Sequence, residues 1–157
     1  MATFTGKQLR EFKETVFPFL SITNSFIPGR SGQWKENATK FDYAVSKNQK
    51  HYDKKNQELI NDINIDHASV DEKGNIIYDP QGNYLYSKES LKQRLKAIRD
   101  LESTIDEMLF DFEPYFCKTE NLPKDLTEED IQFLKGIIVP YDFIFENISS
   151  PQIGFKQ

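Results

Sequence analysis

The apolar positions of this chain change period several times, and each change marks an element. Thr5 followed by Gln8 has the form of a capping box, and Leu9, Phe12 and Val16 then share one face, which predicts a short amphipathic helix. Pro18 disfavours helical backbone at Phe17, so this helix should stop there. The connector "FPFLSITNSFIPGRSG" mixes aromatics with turn residues and ends in Pro28-Gly29. From about Gly32 the spacing becomes a heptad, with Trp34, Ala38, Phe41, Val45, Asn48, Tyr52 and Leu59 along one seam and imperfections at Asn48 and Lys55. It predicts a helix reaching roughly Asn64, about 45 Å long at 1.5 Å per residue.

A second long helix should begin at a Ser87 cap. Leu91, Leu95, Ile98, Ile105, Leu109 and Phe112 repeat the seam, with Leu101 beside it where Glu102 interrupts, and Pro114 closes the element. Two such helices with a short connection are expected to pack antiparallel, with Leu59 near Leu91, Tyr52 near Ile98 and Val45 near Ile105. At their joint, "ASV", "NIIYD" and "NYLYS" are strand candidates punctuated by Lys73-Gly74 and Pro80-Gln81-Gly82. Further on, Thr127 should cap a short helix with Ile131 and Leu134 inward and Gly136 at its end. "IIVPYDFIF" alternates like an edge strand, and the "SSPQIGFKQ" tail is expected to be mobile. The expected fold is α+β and mostly α. It has an antiparallel pair of long helices joined by a small β-hairpin, short terminal helices and a C-terminal strand-like segment. The chain should form one domain over 1–157: an opening helix and aromatic connector over 1–30, the helix, hairpin and helix over 31–117, and a short helix with an extended tail over 118–157.

Composition adds that the apolar content is unusually aromatic, with 13 Phe, 7 Tyr and one Trp, which argues for a folded chain. Cys117 is the sole cysteine, so no internal disulfide can form and a reducing compartment is expected. No apolar run approaches the roughly 18 residues of a membrane span, and the opening residues lack a signal-peptide pattern. A soluble cytosolic protein with no membrane contact is expected. The net charge of -5 hides a layout: Lys47 to Lys55 holds four cations against Asp53, and Lys88 to Arg99 five against Glu89. Those segments carry +7 and the remainder -12, so the molecule should be electrically two-sided.

Candidate chemistry is thin. Asp62, Asn64 and Asp66 open a calcium-loop pattern, but His67 stands where it needs glycine and Lys73 where it needs a bidentate glutamate. Cys117 reads as a small buried hydrophobe rather than a partner of His51 or His67. Nucleotide-binding loops, the serine-hydrolase elbow and H-E-x-x-H are absent from the sequence. No catalytic residue, metal or cofactor is expected. Binding has more support. Lys47, Lys50 and Lys54 form one basic stripe and Lys88, Lys92, Lys96 and Arg99 another, suited to an acidic protein face, a nucleoprotein or nucleic acid. Tyr78, Tyr84 and Tyr86 at the joint, and Tyr141, Phe143 and Phe145 near the end, are aromatic candidates for a partner or homo-oligomer contact.

The long charged helix, the doubled phrase "DEKGNIIYDPQGNYLY", the second helix and "LPKDLTEEDIQFLKGIIV" together resemble a family of small uncharacterised proteins of tailed phages and prophages, over about residues 53–139. The resemblance carries over no site residue. It implies a phage context, in which small proteins without enzyme motifs act by binding. The expected function is a non-catalytic interaction protein in the host cytoplasm that binds a protein or nucleoprotein stoichiometrically, as an anti-CRISPR-like inhibitor of host defence does. The alternative is a virion structural or assembly protein, and an enzyme without a recognisable motif comes third. In outline the fold resembles a prefoldin-type subunit, an analogy of architecture that transfers no function.

Overall fold

The computed structural model describes residues 1–20 and 32–146, with side chains of the first long helix from Ala38 onward. The Trp34 side chain, residues 21–31 of the connector and the mobility expected of the tail lie outside the described residues. In chain order the elements are β1 (Ala2–Thr5), α1 (Gly6–Val16), a 3-10 turn (Phe17–Phe19), α2 (Gly32–His67), α3 (Lys88–Asp106), β2 (Leu109–Phe112), a second 3-10 turn (Thr119–Asn121) and α4 (Glu128–Leu134). The fold is α+β and mostly helical, with a two-stranded antiparallel sheet.

Local chemistry sets the helix starts. Thr5 and Gln8 form a reciprocal capping box: the Thr5 hydroxyl accepts from the Gln8 N–H at 3.1 Å and the Gln8 Oε1 from the Thr5 N–H at 2.8 Å. Leu9, Phe12 and Val16 are buried, and α1 gives way to the 3-10 turn at Phe17-Pro18. Ser87 caps α3, and Thr127 with Asp130 forms a second capping box at α4. Gly136, just past α4, sits at φ +82, a left-handed conformation that glycine adopts without steric cost.

The second long helix is shorter than its apolar spacing predicts. It ends at Asp106, and Leu109–Phe112 leaves it to pair antiparallel with Ala2–Thr5 in the register Ala2↔Phe112 to Thr5↔Leu109. Leu109, Phe110, Asp111 and Phe112 fit a three-four helical step and also an alternation, and the partner strand decides between them. Phe112 is buried against Phe4 at 4.9 Å between ring centroids, whereas Leu109 is 69% exposed. The Gly6 N–H donates to the Met108 carbonyl at 2.8 Å, and a β-carbon at Gly6 would run into the Ile105 carbonyl, so only glycine lets α1 start this close to the end of α3.

The core lies at one end of the long helices. Phe41, Val45 and Tyr52 of α2 and Leu101 and Ile105 of α3 are buried there with Phe4, Leu9, Phe12, Ile131, Leu134, Ile138 and Val139. Beyond Tyr52 and Leu101 the long helices are less covered: Leu59, Ile60 and Ile63 are partly buried, while Ile65, Leu91 and Leu95 are 47%, 42% and 49% exposed. Leu91 and Leu95 therefore do not sit in a buried seam, because α1 ends before reaching their level. Asn64 accepts from Arg94 Nε at 2.7 Å, and Tyr52 and Ile60 share a groove with Ile98 and Leu101.

Asn48, an imperfection in the heptad, is fully buried. Its Nδ2 donates to the Ala44 and Tyr115 carbonyls at 2.9 and 2.8 Å, and its Oδ1 accepts from the Tyr115 N–H at 2.8 Å. Nearby, His51 stacks on Phe112 at 4.2 Å. Burial, helped by Lys50 and Lys54, holds the His51 imidazole below its usual range. "IIVPYDFIF" forms no strand: it contributes one parallel bridge, Lys135↔Val139, and a turn in which Phe143 N–H donates to the Pro140 carbonyl. Pro140 interrupts any ladder there by removing a donor.

Two outcomes are expected. Asn48→Ala strands both backbone groups of Tyr115 and should cost about 2–4 kcal/mol in urea or thermal unfolding; a loss under about 0.5 kcal/mol would contradict the clamp. The unfolded chain protonates His51 near its ordinary pKa while the folded chain resists, so stability falls as pH drops from about 7 to about 5. His51→Phe keeps the stack and should flatten that part of the pH-stability curve measured by chemical denaturation.

Candidate interaction surface

The doubled phrase at the joint of the long helices folds as two copies of one turn. The Asp71 Oδ1 accepts from the N–H groups of Lys73 and Asn75 at 2.8 and 3.0 Å, its own N–H donates to the Asn75 carbonyl at 2.8 Å, and Gly74 takes φ +83. Asp79 repeats this with Gln81 and Asn83 at 2.9 and 2.8 Å, and Gly82 takes φ +85. A side chain that accepts from the backbone two residues on makes an Asx-turn, which explains the order aspartate, two residues, glycine, asparagine. The three expected strands reduce to single antiparallel bridges, Val70↔Ile76 and Tyr78↔Tyr84, because so few residues separate the turns that no ladder can extend. Ser69 ties the copies together: its N–H donates to the Leu85 carbonyl at 2.7 Å and its carbonyl accepts from Ile77 at 3.0 Å.

This arrangement gathers the tip tyrosines. Tyr78 stacks on Tyr84 with centroids 5.6 Å apart, Tyr84 meets Tyr86 edge-on at 6.5 Å, and the Arg94 guanidinium lies 5.0 Å over the Tyr86 ring. Tyr78 is 55% exposed, and Val70, Ile77 and Leu85 are exposed beside it. Of the aromatics near the end, Phe143 and Phe145 are placed with the core instead. Tyr141 is exposed and lies against Gly136, sharing a pocket with Phe4 and Phe133, while Phe143 and Phe145 are half-buried against the core. The two aromatic sets do not form one surface.

Among the cations, Lys88, Lys92, Lys96 and Arg99 are exposed on α3, and Lys50 and Lys54 on α2. Lys47 is half-buried, with its ammonium 5.3 Å over the Tyr43 ring. Lys54 lines a groove of about 320 Å³ with His51, Lys55, Glu58 and β2. Among the described residues, none of Lys88, Lys92, Lys96 and Arg99 takes part in an ion pair. Asp62 and Asp66 of the calcium-like pattern are exposed on α2, which continues to His67, and Asn64 is engaged by Arg94. Among the described residues no group of three or more His, Cys, Asp and Glu side chains converges. Burial pushes the Cys117 thiol up to about 11, the reverse of what a nucleophile requires.

One groove escapes sequence reasoning. It holds about 530 Å³ between α1, α2 and α3, lined by Arg10, Lys13 and Phe17 on one side and Asn56, Ile60, Ile98 and Glu102 on the others. Arg10 anchors it, with Nε and Nη2 each 2.9 Å from the Asp106 carboxylate and Nη1 3.0 Å from Glu14. The Arg10 hydrogen bond holds the Asp106 carboxyl below its usual range. Lys13 pairs with Asp53 at 2.6 Å. The alternating charges of α1 hint at such contacts, but only the docking of α1 says with which helix.

Asp79→Ala removes the oxygen that accepts from two N–H groups of an exposed turn and should loosen the tip without unfolding the protein. Hydrogen exchange at the Gln81 and Asn83 amides should accelerate about tenfold, with global stability changed by under about 1 kcal/mol.

Among the described residues no helix is long and apolar enough to cross a membrane. Searches of protein-family models, of curated proteins and of solved structures find no match to this chain.

Proposed function

We propose that α2 and α3 form an antiparallel arm and that the protein is a non-catalytic, phage-type interaction protein, binding a protein or nucleoprotein partner stoichiometrically through that arm. One observation carries this reading: the α3 cations Lys88, Lys92, Lys96 and Arg99 stand exposed, with no ion pair among the described residues, beside exposed Leu91 and Leu95. Charges that steer a partner next to apolar area that holds it are what a docking face requires. The tyrosine tip adds aromatic area at the end of the same arm. In a phage context the partner is a host component such as a defence effector, met in the host cytoplasm. A second reading, a virion or assembly component, draws on the acids Glu58, Asp62 and Asp66 exposed on α2, since a surface with both signs suits repeated copies.

The test is affinity capture from infected host cells with mass spectrometry, followed by binding measured across a salt series. The triple variant Lys92→Glu, Lys96→Glu, Arg99→Glu should weaken the captured complex at least tenfold and flatten its salt dependence. Unchanged affinity at every salt concentration would reject the basic face as the contact.

A further inference from the structure

The arm has two edges of opposite charge. Asn64 accepts from Arg94, and Ile60 shares a groove with Ile98, so residues 60 and 64 of α2 look toward 94 and 98 of α3. At about 100° per residue, a residue two positions away on a helix points to the far side. Asp62 is two positions from both Ile60 and Asn64, with Asp66 one turn on, so these two acids face away from α3; Glu58, one turn back, pairs with Lys55 at 3.9 Å. Lys96 is two positions from both Arg94 and Ile98, with Lys92 on the preceding turn, so these two bases face away from α2, with the exposed acids Glu89 and Asp100 flanking them on the same helix. These two acids and two bases are all exposed. Ile65, 47% exposed, accompanies the acidic edge, and Leu91 and Leu95 accompany the basic one.

The edges are also in register. The contact between Arg94 and Asn64 fixes a common level, and the helices run in opposite chain directions from it. Two residues onward along α3 and two back along α2 bring Lys96 level with Asp62; the opposite steps bring Lys92 level with Asp66. A copy of the chain displaced sideways, with no tilt or slide, would place its Asp62 and Asp66 opposite Lys96 and Lys92 of its neighbour. Like-signed edges would meet in any pairing of the same edge with itself, which disfavours a two-fold dimer through either edge.

We infer that the arm binds a second copy of this chain edge to edge, the acidic edge of α2 against the basic edge of the neighbour's α3. The inference rests on the reading of the arm as the binding part of the molecule and adds to it a second copy of this chain, beside any host partner. Because each copy offers both edges, the contact is heterologous: it repeats, and it closes into a ring or continues as a filament according to the angle between neighbours. Exposed ion pairs are individually weak, so the contact draws on the two pairs together with the apolar side chains beside them and loosens as salt rises.

Sedimentation velocity of the full chain tests this at about 50 mM and about 500 mM salt. Species larger than a monomer, growing with concentration at low salt and returning to monomer at high salt, are expected. The variants Lys92→Glu/Lys96→Glu and Asp62→Lys/Asp66→Lys should each be folded monomers by circular dichroism, should associate when mixed, and should associate unmixed when all four substitutions share one chain. A wild-type monomer at low salt up to about 100 μM would overturn the inference, as would double variants that self-associate like the wild type, or a mixture and a fourfold variant that both stay monomeric. The salt series on the captured host complex is a separate measurement, so a monomeric protein that still binds such a partner through α3 sinks the self-association and leaves the broader reading standing.

Discussion

The carboxamide of Asn48 holds the head of this protein together. A buried amide must have its donors and acceptor met, and Asn48 meets them with both backbone groups of Tyr115 and the carbonyl one turn back on its own helix. Tyr115 follows β2 by three residues, and two residues later the Cys117 N–H donates to the Ile138 carbonyl at 2.8 Å. The segment from β2 to Cys117 is thus pinned at three points: to β1 by the sheet, to α2 by the amide, and to the buried run Ile137, Ile138 and Val139 by a backbone bond. Without the amide, that segment would leave polar backbone groups facing an apolar helix.

A consequence is the division between a packed head and the sparsely covered outer lengths of the two long helices. In the head, α1 enters over Gly6 and closes on α3 through Arg10, and α4 closes beneath through Ile131 and Leu134. Past the end of α1 nothing described covers Leu91, Leu95 or Ile65, and the tip has to stabilise itself. It does so locally, through aspartates that satisfy their own turns and tyrosines that stack on one another. The aspartates Asp71 and Asp79 of the doubled phrase are structural acceptors, and its side chains of consequence for contact are the tyrosines.

Much of this was legible in the chain, in proportion to how local its cause is. The Thr5, Ser87 and Thr127 caps, the burial of Leu9, Phe12 and Val16, and the turns at Gly74 and Gly82 depend on neighbours within a few residues. β1 and β2 were missed because their cause lies more than a hundred residues apart in sequence, and because Ile105, Leu109 and Phe112 satisfy a helical step as well as a strand. The heptad placed Leu91 and Leu95 in a packed seam and the structure leaves them exposed, because periodicity says nothing of whether another element covers a face. Asn48 stood out as an anomaly in the seam, and its partner could not be found without knowing where residue 115 returns.

The charges obey the same division. Where the chain folds over itself, opposite signs are matched internally: Arg10 takes Asp106 and approaches Glu102, and Lys13 takes Asp53. Along the arm, Lys88, Lys92 and Lys96 make no ion pair among the described residues, although they lie on the same helix as Glu102 and Asp106. A net charge of -5 therefore understates the local fields, since it sums an acidic head with exposed charges of both signs on the outer lengths of α2 and α3. An unmatched charge in solvent costs little, so its presence alone proves nothing. Lys92 and Lys96 on α3 and Asp62 and Asp66 on α2, each pair at four-residue spacing and with no ion pair among the described residues, stand beside exposed Leu91, Leu95 and Ile65, and leave both matching and apolar burial to be completed from outside the chain.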